Sequence, residues 1–525
     1  MLHSKLYSDE SKISLSTVKH SKTKEILTIK SRMKAMKMKS LYTAIIFCLT
    51  PTTGVFAAAM DRSGQSISAF LQPNNYFEAG LSILDPTVEG RDAGTSETTR
   101  HIEDMGNDYY FPSAAIKLQL TDHLSFGLLY DQPFGADVEY KGSNVFVTDA
   151  NTTILPTATM TALRASKIAS STPLGIETFA KQAGIPLATA QAMYTNNVAT
   201  PLGKTKDLID AAVAKQVDAG IAGVNGLVGQ GSTKAEVDSH NLSMIFGFQP
   251  NKNLNFYAGG VYQTIEGSLS LRGQATSVYN GYDATLKETD GVGWLVGAAF
   301  QIPEIALKAS ITYRSKIDHD IDTVESLPTL PALALLGDSF ATAAAKIATA
   351  SGDTKISTPQ SVNIDLQSGV MKDTVAFANI RWVNWKDFEL RPVQFGMVAE
   401  TVGQLPTINR PDGFNLLQYS KDQWNATAGV GRKLNDHWSG TVSAGWDSGA
   451  GNPVTALGPT EGYWNVGLGL QFNPAPNYFI AGGVKYFWLG DAKGQVASQN
   501  AGTDYVADFS DNNAIAYGLK IGYKF

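Results

Sequence analysis

The chain is poor in charged residues and almost devoid of cysteine. Of its 525 residues, 17% are charged, below the roughly 25% of an ordinary soluble domain. The single cysteine, Cys48, lies in an apolar run near the N-terminus. Without that run the chain has no thiol, which excludes a disulfide framework, a thiol nucleophile and a thiolate metal site. Beyond it, no apolar stretch approaches the ~18 residues of a transmembrane helix, so a helical membrane protein is excluded as well.

The first 59 residues form a leader of distinct composition. They contain 10 Lys and Arg against 3 Asp and Glu. Three lysines precede the apolar run 41–56, and three alanines follow it at 57–59, which is the order of a secretory signal peptide. We interpret 1–59 as an upstream extension and a cleaved signal peptide, with an uncleaved N-terminal anchor as the alternative. A cysteine-free exported chain indicates the cell envelope.

The remainder of the chain shows a period of two. Trp464, Val466 and Leu468 alternate with Asn465 and Gly467, and similar alternation of apolar with small or polar residues recurs along the chain. It predicts fourteen strands between residues 76 and 525. The predicted strands begin near Tyr76, Pro112, Leu124, Ala235, Leu254, Ala284, Glu304, Pro359, Thr374, Leu417, His437, Gly462, Tyr478 and Asn513.

The connections between these strands alternate in length, with six tight turns and seven long loops. The long loops are 87–108, 141–233, 274–283, 323–357, 386–415, 448–461 and 491–511. A barrel with both ends in the periplasm has one long loop more than it has short turns. Only a closed barrel pairs every backbone group of its strands in hydrocarbon. We therefore predict an all-β, 14-stranded antiparallel transmembrane barrel in the outer membrane of a Gram-negative bacterium, and disfavour a soluble β-fold.

Two of the long loops contain helical stripes. Val213 and Val217 belong to one stripe in 141–233, and Leu336 and Phe340 belong to another in 323–357. One interpretation is that the helices pack on each other and cap the barrel. The other is that their apolar faces capture a hydrophobic ligand outside the cell.

Strand parity predicts which side chains face the lumen. We place Lys308, Thr312, Arg314, Lys316 and Asp318 of strand seven inward and Ile317 outward. For strand five, we place Val261, Ile265, Leu269 and Leu271 outward, and Glu266 and Arg272 inward.

Strand thirteen is unusual, because its inward positions include Lys485 between apolar neighbours such as Phe487 and Leu489. A cation beside apolar side chains suits an amphiphile with an anionic head. The predicted luminal ligand site therefore consists of these three residues with Arg272 and Arg314. The alternative for each cation is a structural ion pair inside the barrel.

Strand three contains Pro133, Phe134 and Gly135. Proline removes a ladder donor and glycine permits a bend, so this strand is predicted to kink. A kink in the wall would let a hydrophobic ligand leave sideways into the bilayer. The alternative is that the strand simply ends here and the long loop begins.

No pattern indicates catalysis, a metal, a cofactor or nucleic-acid binding. Ser239 and His240 are adjacent in sequence, so on a strand they face opposite sides and cannot form a hydrolytic pair. A general porin and an outer-membrane lipase remain as alternatives from other functional classes.

Four segments resemble the long-chain fatty acid transporter family of outer-membrane proteins (FadL/TodX type, OMPP1), some members of which take up aromatic hydrocarbons. They are "KASITYRSKIDHDI" at 308–321, "FEAGLSILDPTVEG" at 77–90, "DQPFGADVEY" at 131–140 and "SLSLRGQ", which contains Arg272. In this resemblance Gly135 falls on the family's kink glycine and Arg272 on an arginine near the ligand's polar head.

The resemblance implies passive uptake of hydrophobic small molecules, a hatch inside a fourteen-stranded barrel, and lateral release into outer-membrane lipid. We expect a monomer that is assembled by the barrel assembly machinery through the C-terminal Phe525. The hatch here would be 60–75, ahead of the barrel at 76–525 with its insertion 141–233. It lacks the Asn-Pro-Ala triplet of the family, so the family's gating role is not transferred to it.

Overall fold

The computed structural model describes residues 60–525. The predicted extension and signal peptide, with Cys48, lie outside the described residues. Fourteen antiparallel strands form the barrel, and three of them are interrupted, so they are given in two parts. They are β1 (Tyr76–Thr87), β2 (Tyr109–Gln119), β3a (Leu124–Asp131), β3b (Gly135–Glu139), β4 (Lys234–Asn251), β5 (Leu254–Leu271), β6 (Tyr282–Ile302), β7a (Leu307–Arg314), β7b (Ile317–Ser326), β8a (Asp353–Thr358), β8b (Ser361–Met371), β9 (Thr374–Val383), β10 (Gln423–Lys433), β11 (Trp438–Asp447), β12 (Tyr463–Ala475), β13 (Tyr478–Leu489) and β14 (Asn513–Lys524).

The sheet closes because β1 pairs on one side with β2 and on the other with β14. The predicted fourteen-stranded barrel is thus confirmed. Two predicted boundaries are wrong: the eighth strand begins at Asp353, not near Pro359, and the tenth begins at Gln423, not near Leu417. Leu417–Gln418 instead pairs with Glu389–Leu390 in a short ribbon within the preceding loop.

The outer face of the barrel is apolar. Trp464, Leu468, Val484 and Trp488 are exposed there, as expected of a surface that contacts lipid. Among residues 60–525, no helix has both the length and the apolarity required to cross a membrane.

The parity predicted for strand five is reversed. Val261 and Leu269 are buried inside the barrel, while Phe256 and Tyr262 are exposed on its outer face. The prediction failed because lipid and a filled lumen both bury apolar side chains, and the sequence alone does not distinguish the two environments.

The parity predicted for strand seven holds only as far as Arg314, where β7a ends. Ile317 is the first residue of β7b and is buried in the core, whereas Lys316 and Asp318 are exposed and form an ion pair at 3.0 Å. Two residues outside the ladder separate the two parts, so the inward face changes from even to odd positions.

The long extracellular loops contain the helices α1 (Thr157–Ala183), α2 (Leu187–Thr195), α3 (Thr205–Asn225), α4 (Asp338–Ile347) and α5 (Val393–Gly403). The first three pack together around a small core of their own. The last two extend the main core of the barrel over its outer mouth.

Candidate functional site

Residues 60–75 form a plug inside the barrel. Ile67 and Phe70 are fully buried there, and the Phe70 ring meets the edge of Tyr257 at 5.7 Å. The wall donates hydrogen bonds to plug backbone oxygens from several strands: Lys117 Nζ to Asn74 (2.8 Å), Lys308 Nζ to Leu71 (2.9 Å) and Asn363 Nδ2 to Gly64 (2.8 Å). The plug is therefore attached to β2, β7a and β8b together.

A buried ion pair fixes the start of the plug. Arg381 of β9 donates from Nε and Nη2 to the two carboxylate oxygens of Asp61, at 2.7 and 3.2 Å. Its Nη1 donates to Ser361 and Asn363 on β8b. The side chains of the pair are 1% and 3% exposed. Removing one partner of such a pair typically costs about 3–5 kcal/mol, because the other charge is left buried.

Arg314 also contacts the plug. Its Nη2 donates to the carbonyl oxygen of Gln65 at 3.3 Å, and its Nη1 donates to Ser243 at 3.2 Å. On the same side of the plug, Ser63 donates from its hydroxyl to the carboxylate of Asp131. The guanidinium of Arg314, a predicted luminal ligand contact, is thus hydrogen-bonded to both the plug and the wall.

The predicted kink in strand three is an interruption of the strand, between Asp131 and Gly135. The ladder from β2 stops at Ala114, which is opposite Tyr130. Beyond that point the plug takes the place of the strand: the Arg62 amide donates to Pro133 O (2.6 Å) and the Gly135 amide to Met60 O (3.0 Å).

This interruption leaves an opening in the wall of about 620 Å³ between β2 and β3b. Arg62 lies within the opening, with its guanidinium 3.4 Å from the centre of the Tyr109 ring and its Nε bonded to Gly135 O. Asp108, Asp137, Glu236 and Asp238 also line it. We call this cavity the wall opening, and residues 60–62 the plug tip.

Above the plug lies an upper chamber of about 680 Å³ with mainly apolar walls. Its lining includes Leu269, Ile321, Ile356, Phe388, Leu416 and, from the plug tip, Met60. A smaller apolar cavity of about 460 Å³ adjoins it at Leu416 and extends under the outer loops. Tyr419, in the loop that covers the upper chamber, is buried, and burial raises the pKa of its phenol above the ordinary value, so it stays neutral.

On the periplasmic side, a lower chamber of about 1030 Å³ lies between the plug and β7a to β11, and β13 also lines it. Its lining includes Lys308, Arg381 and Lys485 together with Asp365. The luminal cations are therefore concentrated around and below the plug, whereas the upper chamber is apolar.

The residues of the predicted ligand site lie in different parts of the barrel and do not form one site. Lys485 lines the lower chamber, while Arg314 lines a separate cavity of about 980 Å³ between the plug and β1 to β3. Phe487 and Leu489 are buried in the main core beneath the outer loops. Arg272 lies at the end of β5, where its Nη2 donates to both carboxylate oxygens of Asp283 (2.8 and 3.0 Å).

The residues predicted to capture ligand outside the cell belong to packed interiors. Val213 is buried in the core of the α1–α3 unit, and Val217 packs against that core. Leu336 and Phe340 pack against the main core of the barrel. Of the two interpretations of the helical loops, the geometry favours packing.

The sequence prediction missed Asp61, Arg62 and Arg381. Arg381 could have been found, because it is the only charged residue in the predicted strand "TVAFANIRWV". A lone charge on a membrane strand is expected to face inward. The two plug residues carry no comparable signal, because their partners are remote in sequence.

Comparison with known proteins gives one family and several similar structures. The model of the family described as outer membrane protein transport protein (OMPP1/FadL/TodX) matches residues 226–525. A Pseudomonas aeruginosa FadL homologue is similar in structure, with a TM-score of 0.55 at 12% identity, covering 87% of this chain and 92% of that one. At this identity the similarity shows the fold.

Two further structures are similar at lower scores. The Pseudomonas putida toluene transporter TodX matches with a TM-score of 0.48 at 11% identity, over 87% of this chain and 91% of that one. The Ralstonia pickettii toluene transporter TbuX matches with a TM-score of 0.47 at 12% identity, over 90% and 97%. No curated protein matches the sequence.

Proposed function

Since the chain belongs to the OMPP1/FadL/TodX family of outer-membrane transport proteins, whose members transport hydrophobic small molecules, we propose that it takes up long-chain fatty acids or similar compounds. Uptake is passive, and the ligand leaves sideways into the bilayer. The observation on which this proposal depends is the position of the plug tip. Met60 lines the upper chamber and Arg62 lines the wall opening. The plug tip, residues 60–62, therefore separates these two cavities.

The position of the plug favours lateral release over passage to the periplasm. An apolar tail in the upper chamber gains free energy by leaving water, at about 25 cal/mol per Å² buried. The lower chamber is lined by Lys308, Arg381 and Lys485, and the plug lies between the two chambers. The proposed route avoids the plug and passes through the wall opening, whose charged lining consists of Arg62 and four carboxylates. It ends in the hydrocarbon of the membrane, where the tail keeps that free energy.

The alternatives from other classes fit these contacts less well. A general porin needs an open polar lumen, but here the plug is bonded to β2, β7a, β8b and β9 across it. In a lipase Ser239 and His240 would have to meet. Ser239 is buried against the backbone of Phe134, and His240 contacts the Tyr130 hydroxyl at 2.8 Å.

The exit route is tested by Gly135→Arg. A Cβ at this position would lie 3.1 Å from Arg62 Nε, so a long side chain fills the wall opening. We expect uptake of labelled oleate by whole cells to be abolished, while the amount of heat-modifiable barrel in the outer membrane stays unchanged.

The matched control is Gly135→Ala. It introduces the same Cβ, 2.9 Å from the carbonyl oxygen of Val237, without obstructing the opening. It should retain most of the uptake. Wild-type uptake by an assembled Gly135→Arg barrel would rule out this exit.

Uptake of neutral hydrocarbons is the second candidate. Of the described residues that line the upper chamber, the charged ones, Glu236 and Glu266, are both acidic, and an uncharged ligand needs no cation there. Uptake of dodecane, measured beside dodecanoate in the same cells, separates the two substrate classes.

A further inference from the structure

Arg381 has the geometry of a carboxylate receptor. Its guanidinium fork faces both oxygens of Asp61, an arrangement in which two parallel charge-assisted hydrogen bonds form. Its remaining nitrogen, Nη1, donates hydrogen bonds to Ser361 and Asn363, which belong to the wall. The fork is therefore oriented by the barrel and occupied by the plug.

Only the partners of this arginine that belong to the plug can leave. Ser361 and Asn363 are part of β8b, whereas Asp61 and Gln65, which also accepts from Arg381, belong to the plug. A guanidinium that is 1% exposed is strongly destabilised when its counter-charge is removed. The plug tip can therefore withdraw easily only when another anion reaches the fork.

The place next to this fork suits the head of an amphiphile. Met60 lines the apolar upper chamber, and the neighbouring residue Asp61 already presents a carboxylate to Arg381. A fatty acid joins the same two chemistries, an apolar tail and a carboxylate, in one molecule.

We propose that Asp61 is a tethered substitute for the carboxylate of the ligand. In this mechanism the head of a fatty acid replaces Asp61 on Arg381, and the released plug tip withdraws Arg62 from the wall opening. The inference rests on the proposed function and narrows it to ligands with a carboxylate. A neutral compound of the same length can fill the upper chamber, but it provides no anion for the fork.

Binding to the purified full barrel in uncharged detergent tests this mechanism. The probes are dodecanoate and 1-dodecanol, which have the same chain length and differ in the charge of the head. Asp61→Asn keeps the shape of the plug tip but removes the competing carboxylate. We expect it to bind dodecanoate about tenfold more tightly than wild type, because more of the protein has a free fork, and to bind dodecanol as wild type does.

Two variants complete the experiment. Asp61→Asn with Arg381→Met removes both charges, so no unpaired charge is buried, and it should lose the preference for the acid. Lys308→Met is the matched control, since it removes a different contact between wall and plug, the hydrogen bond to the Leu71 carbonyl oxygen. It should change the affinities for acid and alcohol by the same factor.

The outcomes separate the inference from the proposed function. If Asp61→Asn tightens binding of both probes equally, or if Lys308→Met gives the same acid-specific gain, the plug is merely loosened and the inference is overturned, while the proposed function stands. If no variant and no wild-type barrel binds either probe, the proposed function fails and the inference fails with it.

Discussion

The interruptions in β3 and β7 have opposite consequences for the wall. In β3, the neighbour β2 continues as a regular strand on β1, and the ladder between β2 and β3 ends at Ala114. In β7, the neighbour β8 is interrupted at the same level, and the register across the break is kept, from Arg314 opposite Ser361 to Ile317 opposite Thr358. A broken strand thus opens the barrel where its neighbour does not break with it.

The other edge of β7 also loses its ladder, but side chains of the wall fill that space. The pairing of β6 with β7 is absent between Leu286 and Leu295. Ile317 packs there against Gly291, where an added Cβ would lie 2.7 Å from it, and Lys287 forms an ion pair with Asp322 at 2.7 Å. The β3 gap is filled by the plug, whereas the β7 gap is filled by side chains of the barrel itself.

The largest expected effect is on stability, at the β7 interruption. Ile317→Ala should lower the free energy of unfolding by about 2–4 kcal/mol, because it leaves a cavity in a packed core. Fatty acid uptake should stay unchanged. Urea unfolding in detergent measures the first quantity and whole-cell uptake the second.

Ile311→Ala is the control for this variant, because Ile311 lies on the outer face of β7a and is half exposed. It should destabilise the barrel much less. If Ile317→Ala is as abundant in the outer membrane as wild type but takes up less fatty acid, the β7 interruption also has a role in transport. The contrast between the β3 and β7 interruptions would then be wrong.

The next effect is on uptake, at the β3 interruption. Arg62→Ala removes the contact with Tyr109 and the hydrogen bond to Gly135 O, together about 2 kcal/mol. If withdrawal of the plug tip limits the rate, initial uptake of oleate rises by up to about thirtyfold, since each 1.4 kcal/mol is a factor of about ten. Arg62→Lys keeps the charge but loses the planar contact with Tyr109. Its initial uptake should therefore lie between that of wild type and that of Arg62→Ala. Unchanged uptake in both variants would show that Arg62 does not close the opening.

The smallest effect is expected from Lys287→Ala. This ion pair with Asp322 also bridges two strands, but its side chains are 55% and 65% exposed, and exposed pairs contribute about 0–1 kcal/mol. Stability and uptake should both stay close to wild type. If uptake rises as much as in Arg62→Ala, the loss of any ion pair between strands increases uptake, and the effect of Arg62→Ala is not specific to the plug.

The sequence alone predicts the barrel because alternation is a local property. Each strand shows its period within about ten residues, and tight turns such as Asn251 to Asn253 mark one end. The interruption at Pro133 to Gly135 is predictable for the same reason, since both residue types disturb a ladder wherever they occur.

The candidate site is less predictable because it depends on which environment buries a side chain. Leu269 has the same apolar character whether lipid or the covered lumen surrounds it, so its direction was assigned wrongly. Arg272 resembled a ligand-binding cation until the structure showed its guanidinium on Asp283. Asp61 could not be paired with Arg381 from sequence, because 320 residues separate them.

The same separation has a consequence for the order of folding. The plug precedes every strand of the barrel, yet the carboxylate of Asp61 meets Arg381 only when β9 has been placed beside β8b, where Asn363 lies opposite Arg381. A slip of one residue between these two strands would turn Arg381 towards the lipid. Docking of the plug is therefore expected to follow correct pairing in the far half of the wall, so that the first segment of the described chain is among the last to reach its final position.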